Sequence, residues 1–310
     1  MLNLTKAIAI VGPTAVGKTA LSIQLAHHLN GEVISGDSMQ IYRHLDIGTA
    51  KITPAEMEGV PHHLINIRDL NQRFSAAEFQ KLANEQIEQI EHKGHLPMVV
   101  GGTGFYLQTL TENLALGADH FDEQSQRIRD YWHQMADQKG PEAVWKQLYQ
   151  KDPQAAKQIP VGNLRRVIRA LEVIEKTGQL FSQQTQTKSD NEFLLIGLTT
   201  ERSVLYERIN QRVDLMIKEG LLDEARWLYE HGGENYQSGK GIGYRELFPY
   251  FKGETTLADA IAKIKQDSRH YAKRQLTWFR NKMNVQWYDL VSGRNTTNEI
   301  EADVKEWLKN

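Results

Sequence analysis

A doubly wound α/β fold, a parallel sheet with a helical insertion, is the class that the sequence predicts, and three observations predict it. Continuous apolar runs alternate with helix-period stretches over about the first hundred residues. A glycine-rich loop pattern stands where the first run meets the first helix. About ninety residues without a convincing strand then separate the fourth apolar run from the fifth, far more than an ordinary crossover needs.

Ala7-Ile8-Ala9-Ile10-Val11 is uninterrupted, as in a strand buried on both faces. Leu21, Leu25 and Leu29, with Ala26 beside them, mark a helix that Asn30-Gly31 stops. Val33-Ile34 is a second strand, ending in Ser35-Gly36-Asp37, and Leu64-Ile65-Asn66-Ile67 reads as a third. Ser75 and Glu78 form a capping box ahead of Phe79, Leu82, Ala83, Ile87 and Ile90, with Gly94 as the stop. Met98-Val99-Val100 runs into Gly101-Gly102, and the fifth strand is Phe193 to Leu198. Between these two strands the chain reads as helix: 122–138, 142–150, and a stripe of Leu164, Ile168, Leu171 and Ile174 closed by Gly178. The expected organisation is therefore an α/β core from 1–113 and 191–310, with a helical insertion at 114–190. After the fifth strand, Leu205, Ile209, Val213 and Met216 share one helix face, and 261–283 forms another helix.

The 310 residues are 40% hydrophobic, enough to fill a core, and mean hydropathy is −0.54. With no cysteine there is neither a disulfide framework nor a thiolate metal site. Met1 to Lys6 is too short and polar for a signal peptide, and no apolar run approaches the roughly 20 residues of a membrane helix. A soluble, cytoplasmic protein is expected. A net charge of −2 does not by itself announce a nucleic-acid binder.

Gly12-Pro13-Thr14-Ala15-Val16-Gly17-Lys18-Thr19 matches G-x-x-x-x-G-K-[ST] between a strand and a helix, which makes the core P-loop NTPase-like. Backbone N–H groups of such a loop hold phosphate oxygens, Lys18 adds a point charge, and the Thr19 hydroxyl can ligate Mg²⁺. A nucleotide hydrolase normally carries an Asp at the end of a later strand, where this chain has Gly101-Gly102-Thr103-Gly104. Asp37 instead follows the second strand, at the carboxyl edge where open α/β sheets bind ligands. It can take a proton from an acceptor near the phosphates, or it can serve as an N-cap or Asx-turn residue. Thr103 reaches the same edge or simply belongs to a strand-to-helix turn. His62-His63 lacks a third metal ligand and reads as structural.

Two clusters break the near-neutral balance. Arg165, Arg166 and Arg169 lie on one helix of the insertion, where Glu172 offers an ordinary ion-pair partner to Arg169. Between Lys263 and Lys282, seven basic residues face Asp267 alone, a net of +6, interleaved with aromatic residues. Helical spacing places His270, Arg274 and Trp278 on one face, which suits either phosphate contact with a stacking ring or a core aromatic beside solvated lysines.

Several blocks together resemble the bacterial tRNA dimethylallyltransferase family, the IPP transferases. They are the loop at 12–19, Asp37-Ser38-Met39-Gln40-Ile41-Tyr42, Asp46-Ile47-Gly48-Thr49-Ala50-Lys51, Pro61-His62-His63-Leu64 and Gly101-Gly102-Thr103-Gly104-Phe105-Tyr106. Arg169-Ala170-Leu171-Glu172-Val173, Gly241-Ile242-Gly243-Tyr244-Arg245 and the stretch from Ala272 to Arg280 complete the series. They keep order and spacing over nearly the whole chain.

The resemblance implies transfer of a dimethylallyl group from dimethylallyl diphosphate to the exocyclic amine of the adenosine 3′ of the anticodon. By the same likeness, Gly12 to Thr19 holds the donor diphosphate, with Mg²⁺ on Thr19. Asp37 is the general base, Thr103 lies near the amine, and Lys18 and Arg212 neutralise the leaving group. Asp37 to Gln40, Thr103, Arg127 (or Arg129), Arg165, Arg166, Arg169, Lys240, Gly243, Tyr244, Arg245, Lys273 and Arg274 are implied to contact the anticodon stem-loop. A monomer is the family expectation. The competing readings are a P-loop kinase with a helical lid, an isopentenyltransferase acting on free adenine nucleotides, and a nucleotide-switched RNA-binding module.

Overall fold

The computed structural model describes residues 4–114, 116, 122–184 and 191–310. Strand β1 (Thr5–Val11) is buried from Ala7 onward and leads through the glycine-rich loop into helix α1 (Lys18–Leu29). That helix stops at Asn30, whose φ of 51° is a left-handed cap. Strand β2 (Gly31–Ser35) is buried throughout, and β3 (His62–His63) pairs beside it. The strand expected at 64–67 does not form. Leu64 and Asn66 stand at φ 60° and 57°, conformations that break an extended chain, so only the two histidines pair. Helix α2 (Ala76–His92) opens on the Ser75/Glu78 capping box, and β4 (Leu96–Gly101) and α3 (Gly104–Thr111) follow.

Packing divides the chain into two compact units, Met1–Glu112 with Ser189–Asn310, and Asn113–Lys188. Of the expected insertion limits, residue 190 lies outside the described residues. The smaller unit contains α4 (Glu123–Lys139), α5 (Pro141–Lys151), α6 (Pro153–Gln158) and α7 (Leu164–Thr177). Its own core gathers Trp132, Val144, Leu148, Ala155, Val167 and Leu171. Asp122, Asp152 and Asn163 each cap a helix through a side-chain oxygen, which holds the short helices at defined starts.

In the larger unit the chain continues with β5 (Asn191–Leu198), α8 (Arg202–Glu219), α9 (Leu221–Glu230), α10 (Phe248–Phe251), α11 (Leu257–Lys282), β6 (Gln286–Tyr288) and α12 (Thr297–Lys309). The six strands are all parallel, in the order β3-β2-β4-β1-β5-β6. Ile8 lies opposite both Met98 and Leu194, so β1 is central, and its loop emerges at the carboxyl edge between neighbours. Glycine permits the close approaches there. A Cβ on Gly101 would lie 2.4 Å from the Gly36 carbonyl oxygen, so the turns after β4 and β2 touch. Among the described residues no helix is long and apolar enough to cross a membrane.

Candidate functional site

The touching turns open onto a cavity of about 960 Å³ in the larger unit. Thr14, Ala15, Gly17, Lys18 and Thr19 line it, whereas Gly12, Pro13 and Val16 are buried and do not. Lys18 Nζ donates to the carbonyls of Gly12 and Pro13, at 3.0 and 2.6 Å, and curls over its own loop. Burial brings its pKa down to about 8; Asp37 opposes that shift and Arg212 adds to it. Lys18 therefore senses both of these charges.

Asp37 is part-buried and lines the cavity, and its Oδ1 accepts the Met39 N–H at 2.8 Å. This is an Asx turn, and here it fixes a carboxylate that still faces the cavity, so the structural and chemical readings coincide. Burial raises its pKa above the ordinary aspartate value, against the Met39 N–H, the Lys18 charge and the Gln40 N–H. Thr103 Oγ1 accepts the Ser38 N–H at 3.1 Å and bonds the Ser38 hydroxyl at 3.3 Å. Residues 37 and 103 are thereby joined through Ser38, though they belong to different turns. Ser38, Met39 and Gln40 also line the cavity; Gln40 is held by the Ser35 hydroxyl and the carbonyls of Thr49 and Ala50.

Helix α8 forms another wall. Arg212 lines the cavity as expected, but Arg208, one turn earlier, does so too, and its Nε donates to the Ala15 carbonyl at 2.8 Å. The i, i+4 spacing of these arginines was the available signal for the second one. On α11 the cavity is faced by Ile264, Ser268, Tyr271 and Gln275, which recur at helix period, together with Arg274. Tyr271 and Gln275 were not anticipated. Burial pushes the Tyr271 hydroxyl up to about 12, and the nearby Asp37 charge adds to that, so it remains a neutral phenol close to Thr103 and Gln275. Ile23, Ile52, Ile65 and Met216 supply apolar wall.

Lys240, Gly243 and Arg245 line the cavity, with Gly243 at φ 100°. Arg245 is tied to Glu246 at 2.7 Å and Asp267 at 3.4 Å. Tyr244 departs from its expected role as an RNA contact. It is 0% exposed, its hydroxyl bonds Glu224 at 2.7 Å, and its ring fills the space that a side chain on Gly48 would need. Glu224 also accepts the N–H groups of Asp46, Ile47 and Gly48, so Tyr244 helps anchor a loop that borders the cavity. Lys273 and Arg274 are exposed, whereas Phe279 is core and Trp278 packs over Gly104 and edge-on to Phe105. Trp278 is thus a packing ring, although helical spacing places it on the same face as exposed Arg274.

Within the smaller unit, Arg165 and Arg166 are exposed, and Arg127 is 79% exposed beside Glu123. Arg129 and Arg169 instead converge on buried Glu172, at 2.8 and 3.1 Å, and Arg169 also bonds the Leu116 carbonyl. Arg169 therefore has an internal structural role, and Arg127 is the outward-facing residue of its helix pair.

Residues 40–282 match the IPP transferase family. The chain is 65% identical over 306 residues to a Limosilactobacillus fermentum protein described as tRNA dimethylallyltransferase, covering 99% of this chain and 100% of that one. An Enterococcus faecalis protein of the same description is 50% identical over 307 residues, covering 99% and 98%. Among solved structures, the tRNA isopentenylpyrophosphate transferase of Bacillus halodurans is similar with a TM-score of 0.74 at 50% identity, over 98% of this chain and 97% of that one. A eukaryotic dimethylallyltransferase acting on tRNA gives 0.83 at 31% identity, over 99% and 80%. The phosphate loop, the carboxylate at the neighbouring strand end and this full-length likeness lead to one assignment: the chain belongs to the IPP transferase family.

Proposed function

We propose that this protein transfers a dimethylallyl group from dimethylallyl diphosphate to the exocyclic amine of the adenosine 3′ of the anticodon in tRNA, releasing diphosphate. The observation that carries this reading is the pairing of a phosphate loop with Asp37 in one cavity, where the end of β4 offers glycine in place of the Mg²⁺-holding carboxylate of a nucleotide hydrolase. The cavity's apolar wall suits a five-carbon tail, and Lys18, Arg208 and Arg212 suit its diphosphate. An aromatic amine is a weak nucleophile because its lone pair is delocalised. Catalysis therefore consists of easing departure of the leaving group and taking the amine proton as the nitrogen captures the allyl carbon. Asp37, held by Met39 and aimed into the cavity, is the proton acceptor.

Mg²⁺ would be held through the Thr19 hydroxyl, which stands on the first turn of α1 and lines the cavity. A hard cation held there with donor oxygens and water fits that donor set and supplies neutralisation of the diphosphate. The target base must leave the anticodon-loop stack to reach the cavity. Lys240, Arg245, Lys273 and Arg274 in the larger unit and Arg127, Arg165 and Arg166 in the smaller one are the cations for tRNA phosphates. The protein works as a cytoplasmic monomer in this reading.

The test is incubation with radiolabelled dimethylallyl diphosphate and either bulk tRNA or AMP, beside γ-labelled ATP with the same acceptors. Label in tRNA from the diphosphate donor is expected. Label arriving only from ATP would make the protein a kinase, and label in AMP alone would make it a free-nucleotide transferase.

A further inference from the structure

Arg245 lines the cavity and its side chain is 45% exposed, so it stands where the cavity meets solvent. Two carboxylates hold it there. Its Nε donates to Glu246 Oε1 at 2.7 Å, and one terminal nitrogen donates to Asp267 Oδ2 at 3.4 Å. The other terminal nitrogen reaches the Lys240 carbonyl at 3.5 Å. A guanidinium carries five N–H hydrogens, so one on each terminal nitrogen is left for an incoming acceptor. Glu246 is only 7% exposed, and its Oε2 accepts the Gly243 N–H at 2.8 Å. One buried carboxylate therefore fixes both the Gly243 backbone, which stands at φ 100°, and the Arg245 guanidinium, and both residues line the cavity.

A cation that served only as a charge for phosphate would lose by this arrangement, because two neighbouring carboxylates offset its attraction. Burying Glu246 carries a cost as well: burial raises its pKa, against the Gly243 N–H and Arg245. What the arrangement supplies is orientation. A planar fork held at a fixed angle meets phosphate oxygens with a geometry that a free lysine does not have. We propose that Glu246 is a positioning residue, which holds Arg245 as an oriented phosphate contact at the cavity entrance, with Asp267 as a second support. This rests on the transfer reading above, in which a nucleotide of tRNA enters the cavity. Exposed Lys240 and Lys273 add charge, whereas Arg245 in its fixed setting adds register.

The experiment measures binding of an anticodon stem-loop to wild type, Arg245→Ala, Glu246→Gln and the double variant at one salt concentration. If Arg245 acted only as a charge, removing the neighbouring negative charge in Glu246→Gln would tighten binding. If Glu246 orients Arg245, the same change weakens binding about tenfold, and by less than about threefold once Arg245 is already alanine. Asp267→Asn, which sits at a more accessible support, carries the same cycle should Glu246→Gln not fold. It is read only through its dependence on Arg245, because it also frees Lys263. Wild-type or tighter binding by Glu246→Gln, wild-type binding by Arg245→Ala, or a carboxylate variant with equal losses in both backgrounds overturns the proposal. A parallel arm follows transfer of labelled dimethylallyl from its diphosphate to the stem-loop by wild type. Absence of label there would sink the transfer reading itself, whereas label without coupling between Arg245 and Glu246 would sink only the role of Glu246.

Discussion

Arg208 Nε donates a 2.8 Å hydrogen bond to the carbonyl of Ala15, so helix α8 holds the crest of the phosphate loop from outside. Ala15 stands at φ 67°, a conformation that costs a non-glycine residue about 1–2 kcal/mol and needs such support.

Arg208→Ala is accordingly expected to weaken donor diphosphate binding about tenfold, through loss of a charged hydrogen bond and of one cation on the leaving group. Arg208→Lys should recover the charge but not the planar fork, and so only part of the affinity. Titration calorimetry with dimethylallyl diphosphate checks both, and an unchanged Kd for the alanine variant would place Arg208 outside the donor site.

Asp37 must be ionised to accept a proton, and burial raises its pKa. Lys18 must be protonated to balance diphosphate, and its pKa falls to about 8. The rate with limiting substrate should therefore climb through a pH above the ordinary aspartate range and decline near pH 8. Asp37→Asn should remove the acid limb and lower single-turnover transfer by roughly 10²–10⁴-fold while donor binding stays near wild type. A variant that retains both the limb and the rate would show that another group takes the proton.

Glu32, buried at the start of β2, accepts from His63 and His95 at 2.6 Å each and from Lys93 at 3.1 Å. Burial alone would raise its pKa, but these bonds outweigh burial and hold the carboxyl down at about 2. Its folded value lies below its unfolded value, so its stabilisation is present above the ordinary glutamate range and is lost as pH falls toward 2. Glu32→Gln should cost about 1–3 kcal/mol in urea unfolding at pH 7, and the gap from wild type should narrow under acid. A gap that is the same at pH 7 and pH 3 would contradict the linkage.

Arg165→Ala and Lys273→Ala each remove an exposed cation. Each should weaken anticodon stem-loop binding and reduce the slope of log K against log salt by about one. Arg169→Ala differs in kind, because it removes one of the two guanidinium groups that pair with buried Glu172, leaving Arg129 alone, and should lower the melting temperature of the protein. Salt slopes identical to wild type for Arg165→Ala and Lys273→Ala would return both residues to a solvated surface.

Local features of the chain were legible where the physics is local. The buried run at Ala7–Val11, the Ser75/Glu78 capping box and the Gly178 stop depend on neighbours in sequence, and each forms as the pattern predicts. The third strand was misplaced because left-handed Leu64 and Asn66 leave no trace in hydropathy. Strand β6 and helix α12 went unrecognised. A three-residue strand is too short to show a period, although the Thr296/Glu299 capping box did mark the start of α12.

By itself the sequence determined the chemistry available: a phosphate loop, a carboxylate after the second strand, no carboxylate after the fourth, and motifs in family order. Tertiary structure alone decided which of those groups share a cavity. Side chains hundreds of residues apart meet because parallel strands bring their carboxyl ends to one edge and glycines at 36, 101 and 102 let the turns touch. It also turned Tyr244 and Arg169 inward, and it left the Gln275 Oε1 without a partner, since burial and pairing are properties of the packed chain and not of residue type.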